Sequence, residues 1–99
     1  MTKKIRYGVV GLGYISQAAV LPGFKHARKN STLSALISDD SEKLKVLSRK
    51  YGVDKTYSYD TYDDCLRNGE IDAVYIALPN SMHRDYAVKA AMAGIKLLR

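Results

Sequence analysis

Short apolar runs rich in β-formers alternate with helical stretches along the whole chain, and few folds accept that order. "KIRYGVVG" (4–11), "TLSALIS" (32–38), "KTYSY" (55–59), "IDAVYIAL" (71–78) and "IKLL" (95–98) are short and bounded by turn residues, so they read as strands. Helical patterns fill the gaps. "YISQAAVLPGFKHARK" (14–29) carries an apolar face of Ile15, Ala18, Ala19 and Phe24, with a kink expected at Pro22 and Gly23. "DDSEKLKVLSRKYG" (39–52) places Asp39 three residues before Glu42, a capping-box spacing, aligns Leu44, Leu47 and Tyr51, and stops at Gly52. "TYDDCLRNG" (61–69) repeats the spacing with Thr61 and Asp64 and closes on Gly69. In the last helix Ser81 is the expected cap, Met82, Tyr86, Ala90 and Ala93 the inner face, and Gly94 the stop.

Strands and helices in this alternation predict an α/β fold, a doubly wound parallel sheet of the Rossmann type in the order 3-2-1-4-5, with about five strands and four helices. A complete dinucleotide-binding domain normally adds a sixth strand. Residues 1–99 therefore read as one such domain, incomplete at its C-terminus, and the open edge at the last strand predicts self-association as a homo-oligomer.

Composition narrows the partners. At 99 residues with 46% apolar and 26% charged side chains, the chain can bury one core, and no apolar run reaches the ~18 residues of a membrane span. The single cysteine, Cys65, has no internal partner, which fits a reducing compartment and a cytoplasmic location. The net charge of +6 sits in the first half, where ten Lys/Arg meet three Asp/Glu within residues 1–50. Those basic residues are scattered rather than striped, which argues against nucleic acid and leaves room for an anionic small molecule.

The motif that carries chemistry is "GVVGLGYIS" (8–16). Its G-x-G-x-x-S follows the first strand and opens the first helix of a βαβ unit, the context in which this pattern binds a dinucleotide. Gly11 permits the tight turn, Gly13 lets a pyrophosphate approach the main chain, and Ser16 is small enough for helix–strand packing. Leu12, Tyr14 and Ile15 complete the turn, whose backbone N–H groups and helix dipole face the phosphates. Ligands of open sheets sit where strand order reverses, so the loop after the fourth strand lies across the crevice. That loop supplies Leu78, Pro79 and Asn80, with His83 one helical turn on. For Asn80 and Ser81 helix capping alone is the competing reading, and for His83 simple solvation.

At "VGLGYIS", "ALIS", "IDAVYIALPNSMH" and "AGIK", in this order and across the whole chain, the sequence resembles the N-terminal domain of the glucose–fructose oxidoreductase / inositol dehydrogenase family. "LPGF" (21–24) and "AVYIALPNS" (73–81) are similar to its sugar oxidoreductase branch. The resemblance implies an NAD(P)-dependent oxidoreductase acting on sugars, polyols or related carbonyl compounds. By position it places Gly11, Gly13 and Ser16 in the phosphate turn and Pro79 and Asn80 beside the nicotinamide. The family's Glu-Lys-Pro motif and its proton-transferring Asp/His pair have no counterpart before Arg99. No catalytic residue is carried over, the substrate domain is expected to be absent, and a non-catalytic NAD(P)-binding or sensing module is the alternative.

Strand two ends at Ser38, where an NAD enzyme places an acid against the ribose 2′-hydroxyl. Serine there, with Lys43 one turn into the helix, predicts NADP ahead of NAD, and the match of Lys43 to a lysine of the sugar oxidoreductase branch supports it. Asp39 and Asp40 weigh the other way unless they cap the helix and face solvent.

Overall fold

The computed structural model describes residues 4–13, 16–26, 30–78 and 80–98, without the side chains of residues 16, 18, 25, 26, 80, 81 and 98. Five strands, β1 (Ile5–Val10), β2 (Ser31–Ile37), β3 (Lys55–Tyr57), β4 (Ala73–Ile76) and β5 (Lys96–Leu98), form one parallel sheet in the order β3-β2-β1-β4-β5. The expected order is the observed one. Crossovers through α1 (Leu21–His26), α2 (Ser41–Tyr51), α3 (Tyr62–Arg67) and α4 (Asn80–Met92) connect the parallel strands, as parallel pairing requires.

Strand periodicity splits the apolar residues between two cores. Val10, Ile37, Val74 and Ile76 point to the side where Tyr62, Cys65, Leu66 and Ala90 lie buried. Their neighbours Val9 and Leu36 point the other way, to Leu21, Leu47 and Val53. Tyr75 packs on this second side, and Tyr86 packs on the first, as expected of the inner face of the last helix. At the amino ends of the strands Arg6 grips Asp72, its Nε donating to Oδ2 at 3.2 Å and an outer nitrogen to Oδ1 at 3.0 Å. The Arg6 and Asp72 backbones bond as well, which fixes β4 to β1 at that end.

Four local expectations need correction. In α2 the cap is Asp40, whose carboxylate accepts from the Lys43 N–H, so the Asp39–Glu42 box does not form. Thr61 turns back instead of capping forward: its hydroxyl accepts from the Ser58 N–H at 3.0 Å, and a 3₁₀ turn (Tyr59–Thr61) precedes α3. The break in the first helical region lies upstream of Pro22, as a wide π turn over Ser16–Val20. Proline has no N–H to give the carbonyl four residues back, so the normal ladder starts beyond it. There the buried residue is Leu21, while Ala19 is exposed. The helix α4 already includes Ser81, and its inner face is Tyr86, Ala87 and Ala90, with Met82 and Ala93 outward. Among the described residues no helix is long and apolar enough to cross a membrane.

Candidate dinucleotide crevice

Three strand ends lie side by side at the carboxyl edge of the sheet, and their backbones set the floor of the crevice. The Gly11 N–H donates to the Ile37 carbonyl at 2.8 Å and the Ala77 N–H to the Val10 carbonyl at 2.8 Å. One strand further out, the Ser38 N–H donates to the Tyr57 carbonyl at 3.0 Å. The loops after β1, β2 and β4 therefore rise from neighbouring points.

The two glycines of the turn serve different purposes. Gly11 has φ +95°, and a Cβ there would stand 2.7 Å from the Ala77 oxygen and 2.9 Å from Leu78 Cδ2. Only glycine combines that conformation with so close an approach to the loop after β4. A Cβ at Gly13 would meet nothing within 4 Å, and the residue is exposed. Among the described residues no packing demands glycine at 13, whereas a ligand lying against the main chain would.

Leu12, between them, is buried in the α1/α2 core and anchors the turn. Tyr14, Ile15 and Pro79 lie outside the described residues. The main chain of Ser16 begins the π turn, and Asn80 is the first residue of α4. Gln17, which the sequence pattern did not single out, ties the turn down: its amide Nε2 donates to the Leu12 carbonyl at 2.9 Å and its backbone N–H to the Gly13 carbonyl at 3.1 Å. Leu78 packs on the α3/α4 core beside Gly11, and His83 is half-buried in the first turn of α4.

At the end of β2, Ser38 is 3% exposed and its Oγ accepts from the Asp40 N–H at 3.1 Å. Lys43 is exposed in the first turn of α2. Three tyrosines cluster in the neighbouring α3/α4 core. Tyr86 packs against Tyr59 at 5.4 Å and against Tyr62 at 5.0 Å between ring centres, and the Tyr62 hydroxyl donates to the Tyr86 carbonyl. Burial raises the Tyr59 hydroxyl, with Asp39 and Tyr86 adding to the shift and a hydrogen bond with Ser38 opposing it. Burial also raises Tyr86, followed by Asp60, Asp85 and Asp39. Among the described residues no group of three or more His, Cys, Asp or Glu could hold a metal. A cavity of about 230 Å³ lined by Lys4, Phe24, Tyr51 and Gly52 lies at the other end of the sheet, away from the glycine turn.

Residues 5–99 match the model of the GFO/IDH/MocA oxidoreductase family, described as an oxidoreductase family with an NAD-binding Rossmann fold. The chain belongs to this family. Among solved members it is similar to an aldose–aldose oxidoreductase from Caulobacter crescentus, at 38% identity and a TM-score of 0.89 over 96% of this chain. A scyllo-inositol dehydrogenase from Lactobacillus casei with bound NAD(H) matches at 26% identity and 0.82 over 96%. A 3-ketoreductase from Actinomadura kijaniata in complex with NADP matches at 27% and 0.84 over 97%. The chain spans 29%, 27% and 29% of these three proteins respectively. Within the family, the segment is the NAD-binding Rossmann domain.

Proposed function

We propose that this chain is the cofactor-holding part of an oxidoreductase that moves a hydride between a nicotinamide dinucleotide and a sugar, polyol or related carbonyl compound. The observation that carries the reading is the pair of glycines. Gly11 is wedged against Ala77 and Leu78, while Gly13 keeps open space beside it at the meeting of the loops after β1 and β4. That space fits a pyrophosphate, whose charge the backbone N–H groups of the turn would meet. When bound, the dinucleotide supplies the hydride carrier, and the chain's part is to fix its orientation. Leu78 and His83 stand on the β4 side of the turn, the side the nicotinamide half would reach. The substrate class is supported by the names of the three similar structures: an aldose–aldose oxidoreductase, an inositol dehydrogenase and a ketoreductase.

Between the two cofactors we favour NADP. Ser38 puts no carboxylate at the end of β2, and the exposed Lys43 adds positive charge to the first turn of α2. The residues that act on the substrate are then supplied outside 1–99, in keeping with relatives of greater length.

Titration calorimetry of Gly13→Val tests the reading. A branched side chain enters the open space, so affinity for both NADP and NAD falls at least tenfold, about 1.4 kcal/mol, while the melting temperature holds. Equal affinities in the native protein and the Gly13→Val variant overturn the assignment of the turn. Tighter binding of NAD than NADP by the native chain overturns the cofactor preference.

A further inference from the structure

We infer that Gln17 is a positioning residue of the glycine turn, one that aims the Gly13 N–H at the pyrophosphate. This deepens the dinucleotide reading above and rests on it. Gly13 is the loosest joint of the turn. It is exposed, a Cβ there would meet nothing within 4 Å, and glycine has more backbone freedom to lose than any other residue. Two hydrogen bonds from one residue hold that joint on both sides. The Gln17 Nε2 donates to the Leu12 carbonyl at 2.9 Å, and the Gln17 N–H donates to the Gly13 carbonyl at 3.1 Å.

The direction of the Gly13 N–H follows from the first of these bonds. It shares a trans peptide with the Leu12 carbonyl, and in that planar unit N–H and C=O point opposite ways. Holding the carbonyl toward the Gln17 amide therefore turns the N–H away from it. Among the described residues that N–H meets no acceptor. The buried Leu12 side chain anchors the same peptide from the other end. A donor fixed in direction before binding spares the complex the cost of ordering it. Gln17 itself is exposed and belongs to neither apolar core, so its amide serves the turn rather than the packing. Being neutral, it acts on the pyrophosphate that NAD and NADP share and leaves the choice between them alone.

The test uses the ¹⁵N-labelled chain and its Gln17→Met and Gln17→Ala variants. Methionine keeps the length and loses the donor, while alanine removes the side chain and is the best helix former. Calorimetric titration with NAD and with NADP is expected to show both affinities lower by about fivefold in each variant, the scale of one net hydrogen bond. Their ratio stays as in the native chain. Without ligand, the order parameter of the Gly13 amide falls from about 0.85 to below about 0.6 in both variants, which a role confined to the helix would not produce. Native affinities in both variants overturn the inference. So does a loss confined to Gln17→Met, since it then comes from the bulk of methionine. Lower affinity with an unchanged Gly13 order parameter also overturns it, because the Gln17 amide then acts on the ligand itself. A native chain that binds neither nucleotide overturns the underlying dinucleotide reading, whatever the variants do.

Discussion

Cys65 shows how far a single residue's chemistry is set by where the chain puts it. Its side chain is fully buried in the α3/α4 core, and burial, with the nearby Glu70 charge adding, pushes the thiol up to about 12. Since the thiolate is the reactive form, the native protein should resist iodoacetamide near neutrality and become alkylated only in denaturant. The same shift has a stability consequence. The folded state keeps the proton after the unfolded chain, at about pH 8.5, has released it. The stabilisation is therefore whole below about pH 8.5 and is lost as pH climbs through the folded value. Thermal melts of the native protein and Cys65→Ala across the alkaline range should show the shallower decline in the variant. Equal slopes would place the thiol in contact with solvent. The sequence told the number of cysteines but not this depth, because burial belongs to a fold partner rather than to a neighbour in the chain. Gly13 is the opposite case, since the motif anticipated open space there, while the tie of Gln17 to Leu12 was announced by no pattern.

Elements were legible where a repeat runs through them and obscure where two capping schemes compete. In α2 the periodic Leu44, Leu47 and Tyr51 pack as their spacing requires, and Gly52 closes the helix with φ +68°. The cap itself stands one residue later than the spacing predicts, since Asp39 and Asp40 are chemically identical and only the path of the turn chooses between them. Ser38 makes that choice by accepting from the Asp40 N–H, which frees the Asp40 carboxylate to face Lys43 N–H. Asp40→Ala should therefore cost about 1 kcal/mol, and Asp39→Ala close to nothing. In a chain of this size the first corresponds to a fall of roughly 4–8 °C in melting temperature. The reverse ranking in denaturant unfolding would return the cap to Asp39. Thr61 departs from its expected duty for a related reason, because Ser58 three residues earlier offers its N–H to the same hydroxyl.

At the scale of the molecule, the order β3-β2-β1-β4-β5 was open to reading because every crossover is constrained in hand and length. The clasp of Arg6 on Asp72 was not, since 66 residues separate the pair and neither belongs to a motif. The crevice lies between these extremes. Its glycine turn is local and visible, while the neighbouring cluster of Tyr59, Tyr62 and Tyr86 forms only when α3 and α4 come together. The floor itself consists of hydrogen bonds from the amides of Gly11, Ser38 and Ala77, each one residue beyond its strand. The strands expected from the sequence include all three positions, and their amides do continue the ladder just past the last strand residue. In hydrogen–deuterium exchange their amides should be as slow as those of Val9 and Leu36, and rapid exchange at any of the three would show that the floor opens by itself. Because the floor is ordered before any ligand arrives, the entropy lost on binding falls on the loops above it, and the sheet contributes a template already at rest.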